Sequence, residues 1–353
     1  MAKIISVGTS TAPYKLAQSE IKKFVHNLFS SYPDIDNMIK VFDNAQIKQR
    51  HISVPIEWFK NPHTFSERNE IYRETSIKLS KSAIINCMEP TGINIEDIHC
   101  IIFVSSTGIT TPTLDAILFN ELGFNKHVKR IPIWGLGCAG GASGLSRAMD
   151  YVKAYPGHNC LIIAIELCSL AFQKDDFSKS NIVAASLFSD GCAAVVVSGD
   201  KSAYLQKNGI RLIDSLSTIY HDSLDVMGWD VVDNGFRVLF SRDIPAIVKN
   251  LVKPNIDEIL GKNGLGLTDI EYFVTHPGGM KVIKAYEESL GLNNDTFKYS
   301  YKVLTDHGNM SSPSVLFVLK EFFDNNEFIK DKYGILSALG PGFSSELVLF
   351  RTF

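Results

Sequence analysis

Apolar positions along this chain fall into two rhythms. Short continuous runs, of which Cys160–Ile165 and Ala193–Val197 are the clearest, read as strands covered on both faces, the pattern of a mainly parallel sheet. Between such runs the spacing turns helical: after an apolar stretch from Ile131 and a glycine-rich turn, Leu145, Ala148, Met149 and Val152 recur on one helix face until Pro156-Gly157 breaks the pattern. Strands alternating with crossover helices predict an α/β fold. One plan also occurs twice. Ile95-Glu-Asp-Ile98-His-Cys-Ile-Ile-Phe-Val-Ser-Ser-Thr-Gly108 is echoed by Leu267-Thr-Asp-Ile270-Glu-Tyr-Phe-Val-Thr-His-Pro-Gly278: an acidic lead-in, an apolar strand, then small or polar residues and a glycine. Two similar βαβαβ-type halves packed in layers are expected. The polar, glycine-bearing stretch Ser198–Gly209 is the nearest thing to a seam, so the halves are placed at residues 1–204 and 205–353.

The candidate chemistry begins at Cys138, where the apolar run ends in Gly135-Leu-Gly137-Cys138-Ala-Gly140-Gly141 and the helix pattern starts. Free N–H groups and the positive end of a helix dipole favour thiolate over thiol, and the thiolate is the nucleophile. The same letters spell G-x-G-x-x-G, and the run Cys160–Glu166 ends in an acid where a dinucleotide-binding fold holds ribose. That rival is weakened because the fingerprint normally opens its domain, whereas two strand-like runs precede it here. It also finds no partners downstream, whereas a nucleophile does. An apolar strand delivers His276 just before Pro277-Gly278-Gly279, and Gly308-Asn309 precedes the helix-like run Val315–Leu319. A Cys, a His and an Asn, each at the end of an apolar element, suit acyl transfer. The imidazole takes the thiol proton, and His and Asn donors hold a carbonyl oxygen as it gains charge.

Gly137-Cys138-Ala-Gly-Gly141, Thr275-His276-Pro-Gly-Gly279, Gly308-Asn309-Met-Ser-Ser312 and Ala338-Leu-Gly-Pro-Gly-Phe-Ser-Ser-Glu346, with Leu187-Phe188-Ser-Asp-Gly191, resemble in order and separation the signature segments of the type III polyketide synthases, the chalcone synthase family. The resemblance covers nearly the whole chain. It implies a thiolase fold, a homodimer, no organic or metal cofactor, and iterative condensation of malonyl-CoA onto an acyl-CoA starter. Carried onto this chain, it implies Cys138 as nucleophile, His276 and Asn309 as the pair that activates the thiol and promotes decarboxylation, and Phe188 as gatekeeper. It implies further that Ser106, Ser311 and the loop Gly340-Pro341-Gly342 shape the cavity, and that the basic cluster at Lys48 and Arg50 meets CoA phosphates. Val238 stands where the plant enzymes carry a second gatekeeper phenylalanine, Ala171 where they carry a pocket threonine, and Thr111 where they carry a methionine before the proline of the dimer loop. Smaller side chains at 171 and 238 point to an aliphatic, long-chain starter and to pyrone or resorcinol products. His307 is expected to shape its loop rather than act as base. The alternative within the superfamily is a ketoacyl-carrier-protein synthase III, which condenses once; outside it, a non-catalytic or nucleotide-binding protein.

Bulk properties narrow the field in the same direction. A length of 353 residues with 45% hydrophobic content suits two core-forming units, and a net charge of −3 supplies no basic footprint for nucleic acid. Six cysteines without a C-x-x-C pair indicate neither a zinc site nor a disulfide framework, so a reducing compartment is expected. The apolar start is too short for a signal peptide, and Glu166 interrupts the most hydrophobic stretch. A soluble, cytoplasmic enzyme without a membrane span follows as the expectation.

Overall fold

Burial on both faces, not strand direction, is what continuous apolar runs encode. In the computed structural model, which describes residues 1–204, 209–241, 244–325 and 328–353, the strands are β1 (Ala2–Thr11), β2 (Tyr14–Ala17), β3 (Gln49–Ile52), β4 (Ile98–Val104), β5 (Lys129–Ile133), β6 (Asn159–Leu167), β7 (Asp190–Gly199), β8 (Ile210–Ile219), β9 (Met227–Val232), β10 (Gly235–Phe240), β11 (Ile270–Thr275), β12 (Tyr333–Gly340) and β13 (Ser344–Thr352). Among the described residues nine of them form one sheet in the order β11-β12-β13-β8-β1-β7-β6-β4-β5. Only β4–β5, β4–β6 and β11–β12 are parallel; the other five pairings are antiparallel, which corrects the expected mainly parallel sheet. Residues Asn159–Leu167 and Asp190–Gly199 are buried throughout yet pair antiparallel, because helices cover both faces of the sheet.

The duplication read from the sequence is present. The acidic lead-ins are single 3₁₀ turns, Ile95–Asp97 and Leu267–Asp269, and each enters the strand predicted after it. From there the halves repeat: β4 is parallel to β6, then β7 and β1 follow antiparallel; β11 is parallel to β12, then β13 and β8 follow antiparallel. The two series join at β1–β8. The expected seam at 204/205 touches residues 205–208, which lie outside the described residues.

Two helices, Gly140–Ala154 and Ser314–Asp324, occupy equivalent places after the two repeats and share one core with strands of both halves. Phe65–Met88 and Leu114–Leu122 cover the outer face of the first half, and Ile244–Lys262 and Met280–Leu290 that of the second. The result is helix, sheet, helix, sheet, helix. The central helices touch at Gly141, where a Cβ would lie 2.3 Å from the Ser312 carbonyl oxygen and 3.0 Å from Val315. Gly141→Ala is therefore expected to destabilise by about 1–3 kcal/mol, the usual range for overpacking. A denaturation midpoint equal to that of the unaltered protein would refute the contact.

Candidate active site

The nucleophile turn is clamped from both sides. Beyond β5 the chain passes through Gly135 and Gly137, both at positive φ, into a single 3₁₀ turn, Gly137–Ala139, that carries Cys138 ahead of the helix Gly140–Ala154. The Ser106 hydroxyl accepts the Gly135 and Gly137 amides at 3.1 and 3.2 Å. From the second half, the end of β12 presses in: a Cβ at Gly340 would sit 2.4 Å from the Leu136 carbonyl oxygen, and one at Gly137 would sit 2.9 Å from the Pro341 ring. So Gly340-Pro341-Gly342 forms the wall behind the cysteine, and it cannot recede without opening β12.

His276 follows β11, its amide donating to the Ser337 carbonyl of β12 at 2.8 Å. Asn309 follows the helix Lys298–His307 and Gly308, and its amide nitrogen donates to the Gly278 carbonyl at 3.0 Å, two residues beyond His276. Its Oδ1 accepts the Ser311 amide at 2.7 Å, holding Ser311 in a left-handed conformation. Donors on Ser311 and Asn309 favour the Cys138 thiolate. Asn309 thus stands between the cysteine turn and the segment after His276, which it meets at the Gly278 carbonyl.

Their charge states differ from the sequence expectation. Burial pushes the Cys138 thiol up to about 11, helped by the Glu166 carboxylate and opposed by Ser311 and Asn309. Burial also pushes His276 down to about 3, and neither ring nitrogen has a protein partner. One 3₁₀ turn separates Cys138 from the helix, and desolvation is the largest influence on its thiol. Burial thus favours the uncharged form of both the Cys138 thiol and the His276 imidazole. Alkylation of Cys138 by iodoacetamide should accordingly gain about tenfold per pH unit between pH 7 and 10, since the thiolate fraction rises tenfold per unit below its pKa. A plateau already reached at pH 7 would show a standing thiolate. Glu166→Gln removes the carboxylate that disfavours thiolate and should speed alkylation at pH 8.

Glu166 is the residue whose place in the site sequence reasoning missed. It lies buried in β6, accepting the Ser106 amide at 2.9 Å and the Thr107 and Ser312 hydroxyls at 2.8 and 3.0 Å, while burial raises it to about 7. A carboxylate so engaged is not free to bind a ribose, which removes the dinucleotide reading. The available signal was an acid inside an otherwise unbroken apolar strand. The Ser106 hydroxyl oxygen, for its part, braces the nucleophile turn.

Phe188 caps the helix Lys179–Leu187 and packs against Trp229 and Phe240 at 5.7 and 5.5 Å between ring centroids. Val238 joins this cluster from β10, with Cys168 and Ala184. Beside Phe188 lies a narrow apolar cavity of about 50 Å³, lined by Ile21, Phe24, Phe59, Ala171, Ala184 and others. Ala171 is on that wall and Val238 is not. The basic cluster splits: Lys48 is exposed, whereas Arg50 is buried at 2% exposure, with its guanidinium on the Gln18 side chain and the Phe188 carbonyl. Arg50 is therefore corrected from a phosphate contact to an internal brace. Thr111 is exposed in its loop. His307 stacks on His51 at 5.8 Å and meets Phe317 edge-on.

A duplicated five-layer fold that gathers its reactive side chains at the ends of equivalent strands is the thiolase architecture, the scaffold of carbon–carbon condensing enzymes. Within it, the chain belongs to the chalcone and stilbene synthases: the N-terminal domain of that family matches residues 1–201 and the C-terminal domain residues 212–353. It is a type III polyketide synthase, an acyltransferase of CoA thioesters. A Bacillus subtilis (strain 168) protein whose name refers it to chalcone synthase is 46% identical, with 99% of this chain and 98% of that one aligned. The crystal structure of 1,3,6,8-tetrahydroxynaphthalene synthase from Streptomyces coelicolor A3(2) superposes with a TM-score of 0.93 at 30% identity, covering 99% of each chain. An α-pyrone synthesis polyketide synthase-like protein of Mycobacterium tuberculosis is 29% identical over 99% of this chain and 91% of its own. Among the described residues no helix is long and apolar enough to cross a membrane.

Proposed function

We propose that this synthase loads an aliphatic, long-chain acyl group from CoA onto Cys138, extends it repeatedly with malonyl-CoA, and releases it as a pyrone or resorcinol. What supports the aliphatic starter is the apolar lining of the narrow cavity beside Phe188, where Ile21, Phe24 and Phe59 face the small side chains of Ala171 and Ala184. The pyrone outcome is also the one named for the mycobacterial relative.

In this mechanism His276 accepts the Cys138 proton as sulfur attacks the starter carbonyl. Because both groups are neutral at rest, proton transfer and attack go together rather than in sequence. The tetrahedral oxyanion collapses, the C–S bond to CoA breaks, and the CoA sulfur takes the proton back from His276. Malonyl-CoA then loses its carboxylate as carbon dioxide. The electrons of the broken C–C bond pass into an enolate whose oxygen is met by His276 and by the Asn309 amide proton not used on Gly278. The enolate carbon attacks the Cys138 thioester carbonyl, and the Cys138 sulfur leaves. The reading requires no metal or organic cofactor, and it carries with it a homodimer, contacted near Thr111, and a cytoplasmic location.

A mass-spectrometric product profile with malonyl-CoA and starters from acetyl-CoA to long-chain and aromatic acyl-CoA tests it. Triketide or tetraketide pyrones or resorcinols are expected, with long-chain starters preferred. Preference for the aromatic starter would overturn the aliphatic assignment, and a single β-ketoacyl product would overturn iteration.

A further inference from the structure

Arg50 stands where the starter cavity, the gatekeeper and the asparagine meet. It lies on β3 and lines the cavity; Nη1 donates to the Phe188 carbonyl at 2.8 Å, and Nε donates to Gln18 Oε1 at 2.9 Å. Gln18 passes its own amide to the Ser186 carbonyl at 2.9 Å, so the guanidinium is braced against one segment at two points. That segment is laced to Asn309 on both sides of Phe188: the Asn309 amide donates to Leu187 at 2.8 Å, and the Ser189 amide donates to Asn309 at 2.9 Å. On its other flank Arg50 fills the place of a side chain at Gly308. A Cβ there would lie 2.9 Å from both Cγ and Cδ of Arg50.

The arrangement is expensive for stability alone. Arg50 is almost wholly buried and its Nη2 has no protein partner. The nearby Asp190 carboxylate favours its charge, but those oxygens are already taken by the amides and hydroxyls of Ser53 and Ser169. A buried cation with an unmatched donor is disfavoured relative to an apolar side chain of the same shape. We infer that Arg50 is a positioning residue: it locks Phe188 to Asn309, so that the cavity wall and the amide that meets the enolate are held as one unit.

This inference rests on the decarboxylating role proposed for Asn309, and two readouts separate the two ideas. The first is carbon dioxide release from malonyl-CoA in a Cys138→Ala background. There Arg50→Met, which keeps the contact with Gly308 but removes the donors, is expected to lower kcat about 10–100-fold with KM within about threefold, the scale of a small misplacement of a reacting group. Arg50→Lys, which keeps one donor for the Phe188 carbonyl, should recover most of the loss. The second readout is the pH profile of Cys138 alkylation in the otherwise native protein. It should move to higher pH in Arg50→Met, because Asn309 no longer supports the thiolate. A purely structural role would lower kcat only in proportion to the folded fraction and leave that profile in place, and either result overturns the inference. So would a rise in KM at constant kcat. Absence of carbon dioxide release before Arg50 is touched would sink the role of Asn309, while the alkylation profile would still decide whether Arg50 positions it. Should Arg50→Met not fold, Gln18→Met removes the brace and keeps the arginine, with a smaller shift expected in both readouts.

Discussion

Replacing Cys138 by alanine is expected to reduce polyketide formation below detection while malonyl-CoA decarboxylation continues within about tenfold of the native rate. The two halves of the reaction draw on different atoms. Acyl transfer needs the sulfur, and no other thiol can substitute: Cys87, Cys100, Cys160, Cys168 and Cys192 are all buried, and only Cys138 keeps partial exposure. Decarboxylation needs a place for the enolate charge, which His276 and the Asn309 amide supply whether or not sulfur is present. Asn309→Ala or His276→Ala should show the complementary pattern, with carbon dioxide release down by about 10²–10³, the usual cost of losing one preorganised donor. Intact mass after incubation with an acyl-CoA, run beside a headspace assay for carbon dioxide, separates the outcomes. Polyketide from Cys138→Ala would remove the cysteine from the mechanism. Equal loss of carbon dioxide in all three variants would mean that the thiol is part of the decarboxylating group.

Much of this site was legible in the sequence because its members sit at element ends that leave strong local marks. Glycines flank Cys138, Pro277 and two glycines follow His276, and Gly308 precedes Asn309. The repeat was legible for a similar reason: a 3₁₀ lead-in and a buried strand recur with a similar pattern at Ile95 and Leu267. Three things were not readable. Strand direction was hidden, since a residue such as Val195 looks the same whether its neighbour runs up or down. The neutral state of Cys138 and His276 was hidden because desolvation is a property of what packs around a residue, here Pro341, Ser311 and the central helices. And the division of Lys48 from Arg50 was hidden because Lys48 precedes the strand Gln49–Ile52 and stays exposed, whereas Arg50 lies within it and is buried by what packs on that face.

Ala171→Phe is expected to lower kcat/KM for a long-chain acyl-CoA by about 10²-fold or more, while acetyl-CoA stays within about threefold. Ala171 stands on the wall of the apolar cavity opposite the helix Gln18–Leu28, which contributes Ile21, Phe24 and Val25. A phenyl ring there occupies space that the starter's methylenes would fill. Each buried methylene is worth about 0.8 kcal/mol, so displacing four of them withdraws about 3 kcal/mol, about two powers of ten in rate or binding. Acetyl has no methylenes to displace. Val238→Phe makes the useful contrast, because Val238 packs behind Phe188 and does not line the cavity. It should press on the gatekeeper and shorten the preferred starter by less. Crowding at Ala171 could also act through stability, at about 1–3 kcal/mol for overpacking, so thermal unfolding of both variants belongs beside the kinetics. A loss shared equally by acetyl and long-chain starters would assign the effect to folding. An unchanged preference in a stable Ala171→Phe protein would place the acyl chain elsewhere, and with it the reason for an aliphatic starter would fall.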